Sequence, residues 1–152
     1  MSSSAFPTFT IEGYPRVGAN RELKKALESF WAGRIDEETF TSSAHSIRLE
    51  NYARLRDLGL DQDYAIPADV ALYDQVLETG VTVGLIGGDA AEVDLTEYFA
   101  LARGTSERSP LEMTKWFDTN YHYLVPEVSA DTVITPRPQR ILDIVAEAKE
   151  AG

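Results

Sequence analysis

At 152 residues with 43% apolar side chains, the chain is long enough to bury a core and carries no compositional mark of disorder. A formal net charge of −11 excludes nucleic acid and anionic membrane as bulk partners, and zero cysteines exclude a disulfide framework or a thiolate metal site. The amino end has no cationic start and no apolar run of signal length, and the longest apolar stretch, Val81–Ile86, is too short for a bilayer, so a soluble cytoplasmic protein is expected.

Alternation of apolar and polar residues from Thr8 to Glu12 predicts a short strand, broken by Gly13, Pro15 and Gly18. Asn20 is placed to cap a first helix in which Leu23, Ala26, Leu27, Phe30 and Trp31 form one apolar stripe, with Gly33 at its stop. Asp36 caps a longer second helix, whose inner face is Phe40, Ala44, Ile47, Asn51, Leu55 and Leu58 and whose end is Gly59. A second strand is expected around Tyr64–Pro67. Tyr73–Val83 reads as helix, with Leu72, Val76 and Leu77 inward, followed by a Gly87-Gly88-Asp89 loop. Asp94–Ala102 is a shorter helix that ends near Gly104. The aromatic segment Glu112–Glu127 reads as a strand, a break at Asp118-Thr119-Asn120, and a second extended piece ending at Pro126. Pro136 and Pro138 bound a turn before a last amphipathic helix carrying Ile141, Ile144, Val145 and Ala148.

Strands alternating with helices imply βαβ units, hence an α/β fold with a parallel sheet. Only three or four strands are found, whereas a closed (β/α)8 barrel needs eight and about 250 residues. The expectation is therefore an incomplete parallel barrel, its first three or four βα units, cut from a longer polypeptide.

Four of the 14 basic residues, Arg16, Arg21, Lys24 and Lys25, fall within positions 16–25, opposed only by Glu22. Cations at a helix start work against the helix dipole, and an anionic ligand would reverse that sign. Charge pattern alone is explained equally well by an exposed Lys24–Glu28 pair with solubility charges around it. Lys115 lies in a predicted strand on the face opposite Trp116. Trp116, Phe117, Tyr121 and Tyr123 are expected in the core. His122 is read as a hydrogen-bonded wall residue rather than an acid–base partner of Asp118, and His45 as lying on a solvated or lateral helix face.

Two long stretches carry a family resemblance. Glu112-Met-Thr-Lys-Trp-Phe-Asp-Thr-Asn-Tyr-His-Tyr-Leu-Val-Pro-Glu127 and Gly13-Tyr-Pro-Arg-Val-Gly-Ala-Asn-Arg-Glu-Leu-Lys-Lys-Ala-Leu-Glu-Ser-Phe-Trp-Ala-Gly33 resemble, in order and spacing, the amino-terminal barrel of cobalamin-independent methionine synthase. The resemblance implies that residues 1–152 are part of a folate-tail-binding barrel domain. The family enzyme moves a methyl group from 5-methyltetrahydrofolate polyglutamate to homocysteine. Its Arg-Glu-Leu-Lys tetrad, which matches Arg21, Glu22, Leu23 and Lys24, helps to hold the polyglutamate tail, as does the lysine matching Lys115. Zinc, bound there by a histidine, two cysteines and a glutamate of a carboxy-terminal domain, activates homocysteine; that half is absent here, so no catalytic or metal-ligating residue is expected in this chain and alone it should be inactive. Asp69 and Asp74 fall in a family loop from which this sequence departs, reading Ala68-Asp69-Val70-Ala71-Leu72-Tyr73-Asp74-Gln75. Two rivals are a stand-alone, non-catalytic polyanion-binding α/β module acting through Arg16–Lys25, and a structural remnant without a ligand.

Overall fold

A computed structural model of the chain describes residues 10–60, 71–88 and 90–151. In order, the elements are α1 (Glu22–Trp31), α2 (Glu37–Asp57), α3 (Gln75–Val83), α4 (Leu95–Arg103), β1 (Met113–Lys115), β2 (His122–Leu124) and α5 (Gln139–Glu150). They fall into two compact units, one of residues 10–60 with 145–151 and one between 71 and 144.

In the first unit, α1 packs on α2. Leu23 and Leu27 of one helix and Phe40, Ala44, Ile47 and Leu55 of the other are buried, with the Phe30 and Phe40 rings stacked at 5.2 Å. The Asp36 side chain accepts from Thr39 N–H at 2.9 Å, as a helix cap does. Both helices close on Schellman turns: Arg34 N–H reaches Ser29 O and Leu60 N–H reaches Leu55 O. The last turn of α5 is fixed to α2 by Arg48, which grips Glu147 through Nε and Nη2 at 2.8 and 2.7 Å. His45 Nε2 lies 3.7 Å from the same carboxylate with its side chain half exposed, the lateral position expected for it.

The second unit is built on α3, whose cap is the buried Asp74: Oδ1 accepts from Val76 N–H at 2.8 Å and Leu77 N–H at 3.2 Å. Leu77 and Leu124 are fully buried, each contributing roughly 2 kcal/mol by area. α3 ends at Gly84, where φ is +84° and the 135–137 backbone passes so close that a Cβ would lie 2.1 Å from Thr135 O. Only glycine fits there. Arg137 then returns its own N–H to Thr82 O at 2.7 Å.

Several expectations change. The only ladder among the described residues is the β1–β2 pair, and it is antiparallel. The break at Asp118–Asn120 works as a hairpin loop: Trp116 N–H donates to Tyr121 O at 2.9 Å and the Thr119 hydroxyl donates to Trp116 O. Antiparallel strands need only such a short link, whereas parallel pairing needs a long crossover. The described residues thus show a mixed helix and strand fold with a small sheet, and no parallel barrel sheet among them. Residues 10–12 of the first expected strand are irregular. Its start at Thr8, the strand around Tyr64–Pro67, and Asp69 and Asp89 lie outside the described residues. The third helix begins at Gln75 rather than Tyr73, because Asp74 caps it. Leu58, assigned to the inner face of α2, is 60% exposed beyond the helix end.

Candidate functional site

The loop before α1 is organised by a carboxylate. Glu22 folds back to accept from Asn20 N–H at 2.8 Å and Asn20 Nδ2 at 3.0 Å. Gly18 leaves room for it, since a Cβ there would meet Glu22 Oε2 at 2.2 Å. Its pKa is lowered, first by its own backbone N–H, then by the Asn20 amides, and least by Lys25. Asn20 does not cap α1, as its sequence position suggested: the cap position falls to Arg21, and the Asn20 amides donate to Glu22 instead. The N-cap is Arg21, in left-handed conformation at φ 63° and ψ 37°, without a side-chain cap bond. Such a conformation costs a non-glycine residue about 1–2 kcal/mol.

Around this knot the cations differ. Arg21 is exposed, and its guanidinium has no ion-pair or hydrogen-bond partner among the described residues. Lys24 Nζ lies 3.5 Å from Glu28 Oε1, with both side chains about half exposed. That is the surface pair expected from spacing, worth about 1 kcal/mol or less. Leu23 is buried and its N–H is taken by Val17 O at 3.0 Å.

Lys115 sits in the second unit at the end of β1, opposite His122 of β2. Its ammonium also lacks an ion-pair or hydrogen-bond partner among the described residues. Because Trp116 bonds to Tyr121 and Val125 N–H to Glu112 O, the Lys115–His122 pair is of the non-hydrogen-bonded kind, with Cα atoms about 4.5 Å apart. Lys115 and His122 share a sheet face with Met113 and Leu124; Thr114, Trp116 and Tyr123 use the other, where the Trp116 and Tyr123 rings meet edge to face at 5.5 Å. The alternation read from sequence holds.

His122 is exposed, and its Nδ1 lies 3.1 Å from Asn120 O. No bond joins it to Asp118 among the described residues. The aromatic residues are not core as expected. Phe117 is 82% exposed with φ 49°, and Trp116 is 47% exposed. Tyr121 and Tyr123 are half-buried, and the Tyr121 hydroxyl accepts from Gln75 N–H at 3.2 Å. Between α3 and the hairpin runs an open, largely apolar groove of about 460 Å³, lined by Val76, Val83, Leu85, Trp116, Tyr121 and Pro126 among others.

Sequence reasoning missed two buried polar centres. Arg137 is 8% exposed and donates from Nε to Ala90 O at 2.8 Å, from Nη1 to Val81 O and Ile86 O, and from Nη2 to Gly87 O and Gly88 O. All five N–H groups serve backbone carbonyls, so this guanidinium shapes the glycine loop and has nothing left for a ligand. Its only sequence signal is a lone arginine between two prolines. Tyr98, Glu78 and Arg140 form the second: Tyr98 donates to Glu78 Oε2 at 3.0 Å and Arg140 Nε donates to Glu78 Oε1. Burial, and next the Glu78 carboxylate, push the Tyr98 phenol far above its ordinary pKa. Among the described residues no group of three or more His, Cys, Asp or Glu side chains is placed to hold a metal ion.

Residues 8–152 match a family model described as the cobalamin-independent synthase N-terminal domain. A 5-methyltetrahydropteroyltriglutamate–homocysteine methyltransferase of Streptomyces coelicolor is 49% identical over 157 residues, covering 99% of this chain and 20% of the relative. A protein of the same name from Rhodococcus jostii is 48% identical, over 93% of this chain and 19% of the relative. One from Salinibacter ruber is 43% identical, over 92% and 20%. The chain thus spans about one fifth of the length of the curated relatives it matches.

Proposed function

Since the chain belongs to the cobalamin-independent methionine synthase family, within its amino-terminal domain, we propose that it is a portion of a methyltransferase that forms methionine from homocysteine and 5-methyltetrahydrofolate polyglutamate. Its part in that reaction is to hold the polyglutamate tail and to serve as scaffold. Arg21, Glu22, Leu23 and Lys24 on the first unit, and Lys115 on the second, are the proposed contacts. Two cations without partners among the described residues, Arg21 and Lys115, in a chain of net charge −11, are the observation that carries this reading. Arginine and lysine suit carboxylates through charge-assisted hydrogen bonds. Glu22 acts through the loop it ties, which sets the left-handed turn that presents Arg21.

The proposal includes the barrel: in the longer polypeptide these residues open a (β/α)8 domain, and the protein works in the cytoplasm. Zinc, where the family uses it to activate the thiol of homocysteine, does not fit the residues here. The chain has no cysteine, and its two histidines, His45 and His122, belong to separate units. Homocysteine and metal are accordingly assigned outside this chain, and no step of methyl transfer is attributed to its residues.

Calorimetric titration with folate monoglutamate and triglutamate tests the reading. Triglutamate is expected to bind more tightly, and Lys115→Ala or Arg21→Ala to remove about tenfold of that preference each, roughly 1.4 kcal/mol. Binding indifferent to tail length would instead favour a general polyanion-binding module, and no binding by a folded sample would leave a scaffold alone.

A further inference from the structure

The hairpin places a second nitrogen base beside Lys115, and the local bonds decide which of its atoms is available. Asn120 O is a carbonyl and only accepts, so the proton of neutral His122 resides on Nδ1, which donates to it at 3.1 Å. The Nε2 atom is left as the basic nitrogen, on an exposed ring with no other partner among the described residues. Directly across the ladder stands the equally unpartnered Lys115. A carboxylate seated between the two would accept from both, and it can accept from Nε2 only if that atom carries a proton.

We propose that His122 is a second, proton-linked contact for the carboxylate held at Lys115: binding an anionic tail at this end of the hairpin draws a proton onto Nε2, which then donates to the ligand. This rests on the polyglutamate reading above and deepens it, making tail affinity sensitive to pH in the range where histidines ordinarily change charge. The other titratable groups around the ring are consistent with that. On β1 and just before it are Lys115 and Glu112; in the turn, Asp118; flanking His122 on its own segment, Tyr121 and Tyr123. On α3, which packs against β2, the only titratable side chain is Glu78, already held by Tyr98 and Arg140. Glutamyl carboxylates stay ionised throughout this range, so a proton taken up belongs to the protein.

The test is titration of the chain with folate triglutamate and monoglutamate between pH 6 and 8, in buffers of different ionisation enthalpy. Triglutamate affinity is expected to rise as pH falls, by up to about tenfold per unit if a full proton is taken up, with a matching buffer-dependent heat. His122→Gln should flatten the profile at the weak, high-pH affinity. His122→Arg, with a permanent charge, should flatten it at the tight one. His45→Gln, in the other unit, should leave it unchanged. A triglutamate preference that is independent of pH, or equally pH-dependent in His122→Gln, overturns the role of His122 and leaves the tail reading standing. No preference for triglutamate at any pH overturns both.

Discussion

Glu22 is the carboxylate nearest the basic loop, yet it bonds to the Asn20 amides rather than gripping a guanidinium or ammonium. Its own backbone N–H and then those Asn20 bonds hold its pKa below the ordinary value, so they contribute stability that is fully present above the unfolded value and lost as pH falls through the folded one. A carbon-detected titration should place the Glu22 midpoint below that of an ordinary glutamate, and Asn20→Ala should move it upward. An unmoved midpoint would mean that the backbone N–H groups, foremost that of Glu22 itself, hold the carboxylate without help from the Asn20 side chain. Arg137 poses the opposite problem: a buried charge whose partners are all carbonyls. Replacing it with methionine keeps the stem and strips the carbonyls of Val81, Ile86, Gly87, Gly88 and Ala90 of their donors. The expected cost is about 3 kcal/mol in chemical denaturation. Arg137→Lys should recover only part of it, because an ammonium has three donors and no fork.

At the level of elements, caps decide where helices start, and their burial decides how much they matter. Asp74 is 2% exposed and satisfies two N–H groups of α3, whereas Asp36 is open to water and satisfies one. Asp74→Ala is expected to lower stability by about 2 kcal/mol in urea unfolding. Asp36→Ala should have the smaller effect, because water replaces its bond; equal losses would show that burial plays no part. The same elements show what was legible in the sequence. Leu23 and Leu27, and Phe40, Ala44, Ile47 and Leu55, keep the helical period, and Asp36, Gly33 and Gly59 mark its ends through purely local chemistry. The direction of strand pairing is not local. Aromatic and β-branched residues favour extended backbone in either sense, and only the closure of Trp116 onto Tyr121 makes the ladder antiparallel. Lys115 was readable as a strand cation facing away from Trp116. That His122 stands opposite it follows from register, which no spacing along one strand contains.

For the molecule as a whole, charge and apolar exposure pull against each other. Of the twelve large apolar side chains exposed among the described residues, nine lie from Val83 to Leu142, and they include Trp116, which lines the open groove, and its neighbour Phe117. Exposed apolar surface of this kind favours association, while a net charge of −11 keeps copies apart. Salt screens the repulsion, with a Debye length of about 10 Å at 0.1 M, and leaves the apolar attraction intact. Sedimentation velocity is therefore expected to show the chain associating as salt is raised from low ionic strength toward 0.5 M. Phe117→Asp should suppress that association more than Leu58→Asp, although Leu58 is itself 60% exposed, because among the described residues of its own unit only Val17 and Leu49 are also large, apolar and exposed. If the two variants behaved alike, net charge rather than the aromatic hairpin would set the solution state. Phe117→Asp should also leave stability nearly unchanged, since the ring it removes contacts Trp116 edge to face at 5.3 Å but is otherwise open to water. Relief of the left-handed backbone at φ 49°, which aspartate tolerates better than phenylalanine, offsets that lost contact.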